Sequence, residues 1–188
     1  MLRMALRSPR IRTGMRMRCA VLLRGINLGS RNRVRMADLL GLMKGLGHDD
    51  AVTYLQSGNV VATADPGEVG PALEEALRRQ LGLSVRVFVR TVEELERVVA
   101  ANPFPERVSA TKLLHVAFLD EAPDAAALAA IGLAHGDDRI ALGTRELYLN
   151  YTINVHESPL SRPLSRLKLE MTMRNWATVT ALLDLARS

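Results

Sequence analysis

Between residues 18 and 90 the chain alternates short apolar runs with amphipathic stretches in an order that few architectures satisfy. "CAVLLRG" (19–25) is an apolar run closed by glycine and predicts a buried strand. "MADLLGLMKGLG" (36–47) places Met36, Leu39, Leu40, Met43 and Leu46 on one helical face and stops at Gly47. "AVTYLQ" and "NVVATA", parted only by Ser57 and Gly58, predict two strands of a hairpin. "GPALEEALRRQLG" then predicts a helix with Leu73, Ala76, Leu77 and Leu81 inward. "SVRVFVR" alternates Val85, Val87 and Val89 against Arg86, Phe88 and Arg90, the pattern of a half-exposed strand. The resulting order is βαββαβ, that of a ferredoxin-like unit.

The second half echoes the first in element order, with no residue repeat. "TVEELERVVAAN" opens with Thr91 followed by Glu94, a capping-box pattern that predicts a linking helix. "NPFPERVSATK" (102–112), with two prolines, is the natural boundary. Beyond it "LLHVAFLD" predicts a strand, "APDAAALAAIGLA" a helix and "RIALGTRELYLNY" a hairpin turning at Gly143 and Thr144. An irregular segment from Thr152 to about Arg162 precedes a final helix near "RNWATVTALLDLAR", with Thr172 as its expected cap and Arg174 at its start. The expected fold is therefore α+β: a ferredoxin-like βαββαβ first half (18–101) and a βαββα second half (102–188), as two closely packed subdomains.

Charge at first suggests nucleic acid, since the formal net charge is +5. Six of the 25 basic residues lie in 1–18, however, where there is no acid, leaving 19 against 20 acidic residues in the body. The body is near neutral and carries no global basic footprint. Residues 1–17 are expected to be a basic tail: an extension from a misassigned start, a disordered arm, or less readily a targeting peptide. Aromatics are only 4% of the chain, and "NVVATA" and "CAVLLR" offer no exposed ring on which bases could stack. Nucleic acid is thus not expected as a partner of the folded body. Cys19 is alone and the four histidines are widely spaced, so neither a disulfide nor a metal site is expected. No segment has the length and apolarity of a membrane span. The expected setting is the cytoplasm.

The residues that raise a functional question are in "LLRGINLGSRNRVRM" (22–36). In a βαββαβ unit the first and second strands run the same way and the third returns between them, so the end of the first strand meets the hairpin between the second and third. That edge gathers Arg24, Asn27, Arg31, Asn32 and Arg33 opposite Gln56, Ser57 and Asn59, beside the start of a helix whose free N–H groups favour an anion. The opposing possibility is that the glycines only permit positive φ and the asparagines only brace the loop. Neither a GxGxxG fingerprint nor a P-loop is present. Arg174 is a further candidate, unfavourable near a helix start unless it meets an acid or a ligand. No Ser, His or carboxylate grouping forms a recognisable catalytic constellation, so the catalytic residues are unknown.

Taken together, "LLRGINLGSRNRVRMADL", "YLQSGNVV", "VRTVEEL", "NPFP", "ELYLNY" and "RNWATVTAL" resemble the bacterial domain-of-unknown-function family 1697, in order from about Cys19 to Ala186. The resemblance implies a cytoplasmic α+β protein of ferredoxin-like character with no assigned reaction. Its motif positions here are Arg24, Gly25, Asn27, Gly29, Asn32, Met36, Gln56, Ser57, Gly58, Asn59, Arg174, Asn175 and Trp176, none with an established role. One departure is "YTINVHESPLSRPL", where Ser158 and Leu160 match but His156 and Pro159 stand in place of the family's glycine and lysine. The functional expectation is binding of a small anionic or phosphorylated ligand at the 24–35 and 56–59 edge, by a monomer or homodimer without cofactor or metal. The alternatives are a nucleic-acid module and a protein-interaction domain without catalysis.

Overall fold

The computed structural model describes residues 14–29 and 32–188. Of the basic tail expected over 1–17, residues 1–13 lie outside the described residues, and Met17 already opens the first strand. Arg16 belongs to the body as well, donating to the carbonyls of Gly47 (3.1 Å) and Thr63 (2.7 Å).

The first half runs β1 (Met17–Leu23), α1 (Met36–Gly45), β2 (Val52–Tyr54), β3 (Asn59–Ala64), α2 (Val69–Leu81), β4 (Val87–Thr91) and α3 (Val92–Ala100). The second runs β5 (Leu114–Leu119), α4 (Ala125–Ile131), β6 (Ala134–His135), β7 (Asp138–Leu142), β8 (Glu146–Asn150), α5 (Ser161–Arg166), β9 (Met171–Asn175) and α6 (Trp176–Arg187). Among the described residues this is a mixed α and β protein with six α-helices and two antiparallel sheets, of orders β2-β3-β1-β4 and β6-β7-β8-β5-β9.

β1 and β2 both pair antiparallel with β3, so they share a direction and β3 returns between them. The same relation holds in the second sheet, where β5 and β7 both pair antiparallel with β8. The last strand of each half, β4 or β9, lies on the far side of the first strand, β1 or β5. Each then passes directly into a helix through a side-chain cap. Thr91 accepts from Glu94 N while Glu94 accepts from Thr91 N, forming the expected capping box. Asn175 accepts from Thr178 N at 2.9 Å.

Alternation along the strands gives each sheet two buried faces. Cys19, Val21 and Leu23 of β1 pack on α1 and α2, through Leu39, Met43, Leu73 and Leu77. The opposite face, with Ala20, Leu22, Val61 and Phe88, meets Leu95 and Val98 of α3 and Val179, Leu182 and Leu183 of α6. That layer also receives Leu114, Val116, Phe118 and Tyr148 from the second sheet. The outer face of the second sheet is covered by Leu128, Leu164, Leu160 and Tyr151. Each fully buried Leu, Val or Phe contributes about 1.5–3 kcal/mol, and the middle layer is built jointly by both halves.

Three expectations are corrected here. "SVRVFVR" is not half-exposed: Phe88 is 0% and Arg90 1% exposed, because the second half covers the face that alternation assigns to solvent. The second half is longer than βαββα, adding β6, α5 and β9. β9 reads "MTMRN", too polar to register as a strand alone, and α5 contains Pro163. Finally, Thr172 is not the cap of the last helix, nor is Arg174 within it. Both are buried in β9, and Asn175 does the capping.

His115, in β5, has a buried Nδ1 without a hydrogen-bond partner, and its ring meets Tyr151 edge-on at 5.4 Å. Burial lowers its pKa below the ordinary value, so the folded state holds the neutral ring. Stability is then full above the unfolded pKa of about 6.5 and falls as pH drops below it, because the unfolded chain takes up a proton the folded chain resists. In urea titrations the transition midpoint should decline between pH 7 and pH 5.5, and His115→Phe should flatten that decline.

Candidate functional site

The 24–35 loop leaves β1 where the 55–58 turn of the β2–β3 hairpin returns, with Leu23 N donating to Gly58 O at 2.8 Å. Gly25 and Gly29 have positive φ, as do Asn27 and Asn32, the residue type that best tolerates it after glycine. Gly58 is constrained more strongly. Its φ is +75°, and an added Cβ would lie 2.7 Å from Ile26 Cδ1 and 2.8 Å from Leu23 Cβ, so the hairpin closes onto the loop only without a side chain there.

Asn27 joins loop to hairpin. Its Nδ2 donates to Val34 O (2.9 Å) and Gln56 O (2.7 Å), and its Oδ1 accepts from Val34 N (2.9 Å). Asn32 donates to Gly25 O at 3.3 Å. Asn59, wholly buried, donates to Tyr54 O and to Ser57 Oγ, each at 2.9 Å. The expected gathering of these segments at one edge is thus present, with the Asn27 and Asn59 side chains turned inward to hold it.

Arg174 enters the edge from beneath. From β9 it donates Nε to Asn59 Oδ1 (2.5 Å) and Nη2 to the carbonyls of Leu23 (2.9 Å), Ser57 (3.1 Å) and Gly58 (3.3 Å). Its Nη1 donates to Thr172 Oγ1 and Met173 O, each at 2.8 Å. Burial without a carboxylate partner lowers its pKa to about 10, so it remains a cation at pH 7. All these donors are spent on protein acceptors.

The remaining candidates face outward. Arg24, Asn32, Arg33, Gln56 and Ser57 are exposed. Arg24 Nη1 lies 3.7 Å from Glu170 Oε1, in a surface network that also ties Arg86 to Glu74, Asp120 and Glu170. Arg33 makes no hydrogen bond or ion pair among the described residues. Arg31 lies outside the described residues. α1 begins beside this edge at Arg35, which provides no side-chain cap. The departure from the family pattern also resolves locally. Ser158 Oγ (2.5 Å) and Thr152, through N (2.7 Å) and Oγ1 (2.8 Å), donate to the buried Asp138 carboxylate. Leu160 is in the core, whereas His156 and Pro159 are exposed.

A second arginine repeats this arrangement in reverse. Arg90, one residue before the Thr91 cap, stands in β4 as Arg174 stands before Asn175 in β9. Its Nε donates to Glu146 Oε1 (2.9 Å), and its Nη2 donates to Leu119 O (2.5 Å) and Arg145 O (3.0 Å), at the end of β5 and the turn of the β7–β8 hairpin. Its Nη1 donates to Val89 O, as Arg174 Nη1 does to Met173 O. Each half therefore sends an arginine into the hairpin of the other. Half-exposed alternation concealed Arg90, and the adjacent Arg145 and Glu146 were the available sign that the second hairpin is also polar.

Among the described residues no group of three or more His, Cys, Asp or Glu is placed to hold a metal ion, and no helix is long and apolar enough to cross a membrane. Residues 17–148 match the family described as "Protein of unknown function (DUF1697)". No curated protein matches the chain in sequence. The solved structure of the conserved bacterial protein SP0830 from Streptococcus pneumoniae is similar in fold, with a TM-score of 0.70 and 22% identity, over 91% of this chain and 99% of that one.

Removing one member of a buried charge pair strands the other. Arg90→Met should cost about 3–5 kcal/mol in urea denaturation, and adding Glu146→Leu should recover a large part of it. Strict additivity of the two changes would show that the pair is not coupled.

Proposed function

We propose a function from the geometry of the chain itself, since it belongs to DUF1697, a family of unknown function: it binds a small anionic or phosphorylated ligand on the edge formed by the 24–35 loop and the 56–59 hairpin. The observation that carries this reading is the inward bonding of Asn27 and Asn59, which braces the edge while Arg24, Arg33, Gln56 and Ser57 remain exposed on it. Guanidinium groups suit phosphate and carboxylate, and the uncapped start of α1 adds unpaired N–H groups that favour the same charge. Arg174 acts here as a positioning residue, holding the hairpin at Ser57 and Gly58 from beneath. The reading commits to binding and to no reaction.

The same reading takes each half as a ferredoxin-like βαββαβ unit, divided at 101/102. The order β2-β3-β1-β4, and its counterpart β7-β8-β5-β9 within the second sheet, support it. A cytoplasmic setting belongs to it too. The single cysteine, Cys19, is buried and its thiol is pushed up to about 11 by that burial, so it stays protonated and unreactive. Burial of both faces of each sheet leaves no open sheet surface for RNA among the described residues, which favours the small-ligand reading over a nucleic-acid module.

Thermal unfolding against a panel of inorganic phosphate, nucleotides and sugar phosphates tests it. A ligand at about 100 times its Kd adds roughly 2.7 kcal/mol of stability, about 5–10 °C in a chain of this size. Arg24→Ala with Arg33→Ala should abolish the shift while leaving the melting temperature without ligand nearly unchanged. A shift that survives both substitutions sinks the proposal, as does a panel with no stabilising anion.

A further inference from the structure

A groove of about 560 Å³ lies between α3 and the β7–β8 hairpin, away from the 24–35 edge. Its volume falls in the range of about 300–1,000 Å³ usual for small-molecule sites. Val98, Leu142 and the Tyr148 ring supply apolar wall, and Glu94, Arg97, Thr144, Arg145 and Glu146 supply polar groups, Glu94 being paired with Arg145 and Glu146 with Arg90. The Tyr148 hydroxyl donates to Val98 O at 2.9 Å, which locks the ring in place. Gly143 keeps the turn close to that ring, since an added Cβ would sit 3.1 Å from Tyr148 Cε2.

The internal likeness of the two halves shows which of these groups the fold itself requires. Aligning the caps Thr91 and Asn175 sets Glu94 against Thr178 and Arg97 against Ala181. Aligning the first residues of the returning strands, Glu146 and Asn59, sets Arg145 against Gly58. The corresponding pair, helix α6 of the second half and the β2–β3 hairpin of the first, thus forms with no charge at any of the three positions. Glu94 has local work, completing the capping box and pairing with Arg145. Arg97 stands in the last turn of α3, one turn beyond Glu93, and its side chain is exposed and makes no hydrogen bond or ion pair among the described residues. A guanidinium beside an apolar hollow, in excess of what the architecture needs, matches a ligand with a compact apolar body and one anionic group.

We propose that this groove is a second binding site, for a small amphipathic anion such as an aromatic phosphate monoester or carboxylate. The apolar body lies against Val98, Leu142 and Tyr148, and the anionic group meets Arg97 with Arg145 behind it. This site stands on observations separate from those at the 24–35 edge, and neither proposal requires the other.

Amide chemical-shift mapping of the full chain with phenyl phosphate, inorganic phosphate and phenol as probes tests it. The expected result is saturable shifts at residues 97–101 and 142–146 with phenyl phosphate, at least tenfold weaker binding of each of the other two probes, and at least tenfold loss of affinity in Arg97→Ala. Because Arg97 is exposed, the variant's own spectrum reports that the fold is intact. Inorganic phosphate binding there as tightly as phenyl phosphate would overturn the amphipathic assignment. Shifts that persist at full strength in Arg97→Ala overturn the proposal, as do shifts confined to 24–35 and 56–59, which would support the edge site alone.

Discussion

Two buried arginines, exchanged between halves, hold this protein's architecture together. A guanidinium withdrawn from water is costly unless nearly all its donors are met, and a carbonyl at a strand end is costly if left unpaired. Arg90 and Arg174 meet both demands at once, because each planar fork spans a strand-end carbonyl and a hairpin carbonyl of the opposite half. Neither half can swing away without stranding a charge and several carbonyls together. The shared apolar layer of α3, α6 and two sheet faces supplies the apolar burial between the halves, and the arginines tie its two sides together.

The two clasps differ in their acceptors. Arg90 ends on a carboxylate, Glu146, whereas Arg174 ends on the neutral amide of Asn59. Arg174 is thus a buried cation held by neutral acceptors alone, and its lowered pKa expresses that cost. Its positive charge lies directly beneath the 56–59 hairpin, with no carboxylate bonded to it. An anion on the exposed side of that edge would meet a favourable field from below as well as guanidinium groups on the surface. Support from beneath and exposure above is the arrangement a preorganised binding edge needs.

Much of this was legible in the residues. The βαββαβ order of elements, the capping box at Thr91 and Glu94, the turn at Gly143 and Thr144 and the meeting of the 24–35 loop with "QSGN" all followed from apolar period and turn chemistry, which act over a few residues. The roles of the polar residues did not follow. Asn27 and Asn59 read equally well as ligand donors or loop braces, because an amide serves either way and only its neighbours decide. β9 was hidden since "MTMRN" draws its strand character from pairing with β5.

Apart from β6, α5 and β9, local sequence alone determined where strands and helices form, because side-chain periodicity and φ preference are short-range properties that each segment carries with it. Tertiary structure alone decided which charges are buried. Arg86 and Arg90 occupy the same face of one strand pattern, yet one sits in a surface ion network and the other is 1% exposed against Glu146. The difference comes from the second half arriving over Arg90, a contact between residues 56 positions apart. Desolvation depends on what finally covers a group, and no local pattern in the chain encodes that covering.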